Sequence, residues 1–353
     1  MRNIYLHLPA ILKEEEKYSI ATVISTSGST PQKPGNSALF SSKGRLIGTV
    51  GGGILEARCT SKALRNAETR TATLDLFDLN NSIKEKGEAI CGGEATVLID
   101  GLVSSDIQLF RKAADLLSRR IAAAIVTEIT VYNPDTITVK RYLQSDETSA
   151  KELSAGTVGE AERLLKSGKH EGYFLSEVKK PGDVSFITFI EPIFPPPRLI
   201  IAGAGHIGRA LTHYGRRLGF EITVADSRTE FASRENLPEA DHIITGDIAT
   251  AMAGIEADSD TFVVIVTHGH ADDAAVLRST VGKPFGYLGM IGSRKKVAKV
   301  RHDFIENGWA DEETWRKIHA PIGVEIESKT VEEIAISIAA QLVLVRNTLK
   351  KQE

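Results

Sequence analysis

Residues 198–228 read RLIIAGAGHIGRALTHYGRRLGFEITVADSR. The apolar run Leu199 to Ala202 predicts a short buried strand, Gly203, Gly205 and Gly208 form a turn, and an amphipathic run of helical period follows. A second apolar run, Ile222 to Ala225, ends at Asp226, 23 residues beyond Gly203. This is a βαβ start with the dinucleotide fingerprint. In that reading Gly203 makes the tight turn, Gly205 lets the backbone approach a pyrophosphate, and Gly208 lets helix and strand pack closely. The helix start offers unpaired N–H groups to phosphates. Asp226 accepts hydrogen bonds from a ribose diol, and its charge repels a 2′-phosphate, which favours NAD over NADP. The structural alternative for Asp226 is a helix N-cap. The expected cofactor-binding set is Gly203, Gly205, His206, Gly208, Asp226 and Arg228, joined by His268 and His270 from a later strand end.

Outward from this stretch, the chain has 353 residues, which predicts two domains. Hydrophobic residues make up 42% and charged residues 25%, the ordinary globular range. A formal charge of -3 leaves no electrostatic footprint for nucleic acid. The first twenty residues lack the sections of a signal peptide, and no apolar run reaches the length of a membrane span. The expectation is a cytoplasmic protein. The two cysteines, Cys59 and Cys91, form no disulfide framework, so they matter, if at all, as thiols.

The remaining strands of the second half are expected at Asp241 to Thr245, Thr261 to Thr267 and Phe285 to Met290, with a final helix over Val331 to Leu349. The strand TFVVIVT opens into HGHADD (268–273), placing two histidines where a parallel sheet holds ligands. His268, His270 and Asp272 form a candidate metal set, which would make the chain a metal-dependent hydrolase; the alternative is loop capping. In IGSRKK (291–296), Ser293, Arg294 and Lys295, with Lys296 beside them, put basic residues at a helix start. There they oppose the macrodipole and so suggest an anion nearby. The structural alternative is a solvated first turn.

In the first half a strand is expected at Tyr18 to Thr26, an ordered loop early in GSTPQKPGNSALFS (28–41) after which Ser37 to Phe40 resumes an extended pattern, and a strand, turn and helix in RLIGTVGGGILEARC (45–59). Further elements are strands at Arg70 to Phe77, Ala95 to Ile99, Ile121 to Glu128 and Val184 to Ile193, and helices at Ile107 to Ser118 and Val158 to Lys166. The end of a helix is expected over 10–18. Three consecutive glycines, Gly51 to Gly53, expose backbone N–H groups to a phosphate or else allow backbones to pack closely. Cys59 and Cys91 each stand near a glycine cluster. They are either small buried hydrophobes or soft thiolates able to ligate a metal or carry sulfur. Pro195 to Pro197 is a stiff connector, so the expected domains are 1–194 and 195–353.

GSTPQKPG, GTVGGGILEARC and CGG in the first half, with GAGHIG, VADSR, VTHGHADD, YLGMIGSRKK, HAPIGVEI and EEIAISIAAQL in the second, resemble the xanthine dehydrogenase accessory family, XdhC/CoxI. The resemblance covers nearly the whole chain. It implies an α/β protein in which an N-terminal mixed-sheet domain precedes a Rossmann-like doubly wound parallel sheet. It also implies a chaperone that binds the molybdenum cofactor (molybdopterin), assists its sulfuration with a cysteine desulfurase, and delivers it to the molybdenum subunit of xanthine dehydrogenase. On that reading the cofactor and sulfur candidates are Gly28, Ser29, Thr30, Gly51, Gly52, Gly53, Glu56, Cys59, Cys91, Gly92 and Gly93. A homodimer is expected as an enclosure for an oxidation-sensitive ligand. Gln32 and Leu39 stand near places where the family has arginine and methionine, and loss of the arginine should weaken contact to an anion. The competing reading is an NAD-dependent oxidoreductase of purine metabolism, with His206, His268 or His270 as acid or base.

Overall fold

The computed structural model describes residues 4–13, 16–79, 93–133, 136–168, 173–179 and 184–352. The chain divides into two compact units, Met1–Pro195 and Pro196–Glu353. The first unit holds two sheets, antiparallel in every ladder. One has the order β3-β2-β1-β5-β4, built from β1 (Tyr18–Gly28), β2 (Ser37–Ser41), β3 (Gly44–Gly48), β4 (Ala72–Asp78) and β5 (Gly93–Asp100). The other has the order β7-β6-β9-β8, built from β6 (Ala123–Asn133), β7 (Thr136–Gln144), β8 (Phe174–Lys179) and β9 (Ser185–Ile193). The helix end expected over 10–18 is not found among the described residues of that span: a short helix α1 (Leu8–Ile11) stops at Ile11, with Leu12 extended, and β1 starts at Tyr18.

Helix α2 (Gly53–Thr69) lays Leu55, Cys59 and Ala63 on Ala21, Val23, Phe40 and Val97 of the first sheet. In helix α3 (Ile107–Ser118), Ile107, Phe110, Ala113, Leu116 and Leu117 recur at helical spacing. That face packs on Tyr18 and Ile20 of one sheet and Ile125 and Ile193 of the other. Helix α4 (Ala155–Lys166) covers the second sheet through Ala161 and Leu164.

The second unit is a six-stranded parallel sheet of order β12-β11-β10-β13-β14-β15. Its strands are β10 (Arg198–Ala202), β11 (Glu221–Asp226), β12 (His242–Thr245), β13 (Thr261–Ile265), β14 (Tyr287–Met290) and β15 (Ile318–His319). Leu199, Ile201, Phe262 and Val264 face one helical layer, made by α5 (His206–Arg217) and α10 (Val331–Gln352). Their neighbours Ile200, Ala202, Val263 and Ile265 face the other, which contains α6 (Ile248–Ala253), α7 (His270–Thr280), α8 (Arg294–Glu306) and α9 (Glu312–Arg316). Burial on both faces is why these strands read as unbroken apolar runs. The order runs outward from β10 in one direction and from β13 in the other, so the switch point of the Rossmann arrangement lies between them. Strand β13 stops two residues short of the expected Thr267, and HGHADD starts helix α7 instead of remaining a loop. Among the described residues no helix is long and apolar enough to cross a membrane.

Candidate functional site

At the carboxyl end of β10 the three fingerprint glycines divide by physical demand. Gly203 has φ +118°, and a Cβ there would meet the carbonyl of Val266 beyond β13. A Cβ on Gly208 would overlap the carbonyl oxygen of Gly203. The fold therefore requires both. Gly205, the N-cap of α5, has φ −67° and ψ −170°, which any residue adopts. The nearest atom to its absent Cβ is Arg228 Nη2 at 4.0 Å. Nothing in the surrounding structure demands glycine there, and a serine or aspartate cap would have stabilised the helix by only a few tenths of a kcal/mol more.

The turn is held from both sides. Ala204 N–H donates to Asp226 Oδ2 at 2.7 Å, and its carbonyl accepts from Asn236 Nδ2 at 3.1 Å. Asn236 also donates to the carbonyl of Phe231, and sequence reasoning passes over it because no motif contains it. The N–H groups of Gly205, His206, Ile207 and Gly208 have no partner among the described residues. His206 departs from the strand end and lines a surface pocket of about 370 Å³ with Arg209, Ala210, His213, Tyr214 and the first turn of α10.

Asp226 does not stand ready for a ribose. It is 2% exposed, and Oδ1 accepts from the backbone N–H and Nε of Arg228 while Oδ2 accepts from Ala204 and Arg228 Nη2. Burial pushes its carboxyl up, but the hydrogen bonds from Arg228 and Ala204 outweigh that and hold it below the usual carboxylate range. The guanidinium of Arg228 lies over the Phe231 ring, 3.9 Å from its centroid.

The loops after β13 and β14 are joined by a buried ion pair. Lys296 Nζ donates to Asp273 and to the carbonyl of Ile291, and Asp273 also accepts from the N–H and hydroxyl of Thr267. The Lys296 side chain is 11% exposed. Lys296 thus faces an internal partner, while Arg294 and Lys295 are exposed and Arg294 reaches Glu325 at 3.4 Å. Ser293 is the N-cap of α8 and accepts from Lys296 N–H. His268 and Asp272 are exposed, and the side chain of His270 lies outside the described residues. Among the described residues no cluster of three or more His, Cys, Asp or Glu is arranged to hold a metal ion.

In the first unit two glycines stand beside the loop that follows β1: a Cβ on Gly93 would collide with backbone at Ser27 and Ser29, and one on Gly51, just before α2, would meet Pro31. Thr49 Oγ1 accepts from Gly51 N–H and donates to Glu56, which also pairs with Arg45 Nε at 3.0 Å. Gly52, the α2 N-cap, has open space where its Cβ would stand and makes no side-chain cap. Thr30 Oγ1 donates to the carbonyl of Gln32, and Leu39 is buried in the core.

Cys59 corrects the expectation of a soft thiolate. It is 0% exposed in the α2 core, and burial, reinforced by Asp75, pushes its thiol up to about 12. It is the small hydrophobe of the two alternatives. Cys91 and Gly92 lie outside the described residues.

A contrast runs through the helix starts. Ser154, Asp247, Ser293 and Asp311 cap α4, α6, α8 and α9 with their side chains. Helices α2, α5 and α7 begin instead at Gly52, Gly205 and Gly269 with no side-chain cap. The latter two stand side by side at the switch point, leaving a concentration of backbone donors suited to an anion.

Comparison with known proteins fits this architecture. Residues 199–342 match the family model described as the XdhC Rossmann domain, and residues 11–77 match that of the XdhC and CoxI family. A Bacillus subtilis (strain 168) protein named as a probable component of xanthine dehydrogenase is 24% identical over 348 residues, 98% of each chain. The molybdenum cofactor insertion chaperone PaoD of Escherichia coli (strain K12) is 33% identical over 101 residues, 28% of this chain and 31% of PaoD. The crystal structure of a xanthine dehydrogenase from Bacillus halodurans superposes with a TM-score of 0.76 at 24% identity, covering 97% of this chain and 95% of that one, and so shares its fold.

Proposed function

We propose, from the premise that this chain belongs to the XdhC and CoxI family, that it is a cytoplasmic accessory protein of molybdenum hydroxylases. It binds the molybdenum cofactor as cargo, assists its sulfuration with a cysteine desulfurase, and hands it to the molybdenum subunit of xanthine dehydrogenase or a related enzyme. The names of the Bacillus subtilis relative and of PaoD support a role beside such an enzyme. The observation that carries cofactor binding is the glycine at 205: an uncapped helix start where the fold needs no glycine, beside a second uncapped start at Gly269. The terminal phosphate of the cofactor is the group those N–H donors fit. Sulfur handling falls to Cys91, because Cys59 is buried and protonated.

The test is equilibrium binding of purified molybdenum cofactor, with NAD as competitor, to the wild type, Gly205→Val and Cys91→Ala. Only Arg228 Nη2 lies within 4.0 Å of a Cβ at 205, so the valine variant should stay folded, losing about 1 kcal/mol as a poorer N-cap, and should lose affinity for the ligand. Cys91→Ala should bind the cofactor but fail to reconstitute an active apo-dehydrogenase. If NAD alone binds and is lost in Gly205→Val, the accessory reading fails and a nicotinamide-dependent oxidoreductase takes its place.

A further inference from the structure

We propose that Arg228, and not the fingerprint carboxylate Asp226, reads the ligand of the glycine-turn crevice, and that it selects a terminal phosphate over a ribose diol. This rests on the reading above that the switch point of the second unit is a ligand site.

In the usual arrangement the acid at the end of the second strand accepts from both ribose hydroxyls. Here all of its capacity is used within the protein: two donors reach each oxygen of Asp226, and three of the four come from Arg228. A diol entering this position must displace a charge-assisted bidentate pair or the Ala204 N–H. Leaving such a buried donor unmade costs about 1–3 kcal/mol. The exchange therefore brings the diol no net advantage. The same pairing cancels the negative charge that would otherwise repel a phosphate.

Arg228 is held in place for the opposite task. Nε and Nη2 are locked on Asp226, the guanidinium plane rests on Phe231, and Nη1 has no partner among the described residues. Its side chain keeps 28% of its surface exposed. The missing Cβ of Gly205 leaves no side chain between the turn and this guanidinium. A phosphate bonded to the free N–H groups of residues 205–208 therefore lies beside a preorganised planar donor. Glu230 and Asp272 also act on Arg228, and they oppose an anion. Both are exposed, however, so solvent and salt screen them over about 8 Å. A direct charge-assisted hydrogen bond is not screened in that way.

The probes are ADP-ribose and 2′-phospho-ADP-ribose, titrated calorimetrically into the full chain. The phosphorylated compound should bind about tenfold tighter or better, and Arg228→Gln should reduce the ratio to within about twofold. Asp226→Asn should leave the preference in place. Equal affinities, tighter ADP-ribose, no binding of either compound, or a selective loss of ADP-ribose in Asp226→Asn each overturns the assignment. Displacement of the bound probe by purified molybdenum cofactor assigns the phosphate site to the pterin. If the preference holds but the cofactor does not displace the probe, the cofactor's placement in this crevice fails while the role of Arg228 stands.

Discussion

Glu191 lies inside the first unit, where Tyr5 donates to its Oε1, and burial pushes its carboxyl up to about 7 against the opposing pull of Arg141. Arg141 is itself shared between Asp100 and Asp106, so three carboxyl groups face one guanidinium. In the unfolded chain Glu191 ionises near 4.5, while in the fold it keeps its proton to about 7. Between those values the folded state binds more protons than the unfolded one, so its stability falls as pH rises, then levels off. Glu191→Gln should flatten that decline, which is on the order of a few kcal/mol, in urea denaturation at pH 5, 6, 7 and 8. An unchanged slope would assign the effect elsewhere. Cys59 gives a second test at this scale. With its thiol at about 12, it should resist iodoacetamide in the folded chain at pH 8 and react fully in urea, as read by mass spectrometry. Neither property is visible in sequence, because each depends on what surrounds the group. The spacing around Cys59 suits a helix facing a core as well as a loop facing a ligand.

At the scale of the element, the strand–turn–helix from β10 to α5 was legible from glycine spacing and apolar runs. Its two sterically required glycines and its third, which the packing does not require, were not separable until the neighbouring strand was in place. Gly208→Ala should cost about 1–3 kcal/mol because the methyl overlaps the carbonyl of Gly203. Gly205→Ala should cost less, about 0.5–1 kcal/mol as a poorer N-cap, because only Arg228 Nη2, at 4.0 Å, approaches the added Cβ. Equal losses in chemical denaturation would remove the distinction on which the ligand site depends. The basic run after β14 shows the opposite limit. Four residues of similar polarity, Ser293 to Lys296, take four different fates, as a helix cap, a surface ion pair, an exposed lysine and a buried ion pair. Helical periodicity predicts which way Lys296 points, but not that Asp273 waits there.

Among the described residues, each core cluster draws its members from one unit alone. A fragment of residues 196–353 should therefore fold by itself, giving a cooperative thermal transition and a mixed α/β circular dichroism spectrum. Loss of cooperativity would show that its sheet needs the first unit. The sequence by itself determined the α/β class, most of the element order and the doubly wound parallel sheet. Unbroken apolar runs ended by glycine turns can bury both faces only between two layers of helices. Only the tertiary structure decided which charged and polar groups remain available to a ligand. Asp226 and Lys296 are neutralised by partners on the loops they meet, and Cys59 is submerged by the sheet beneath its helix. Residue type and spacing set what a group can do, whereas burial and pairing, which arise when distant segments meet, set whether it is free to do it.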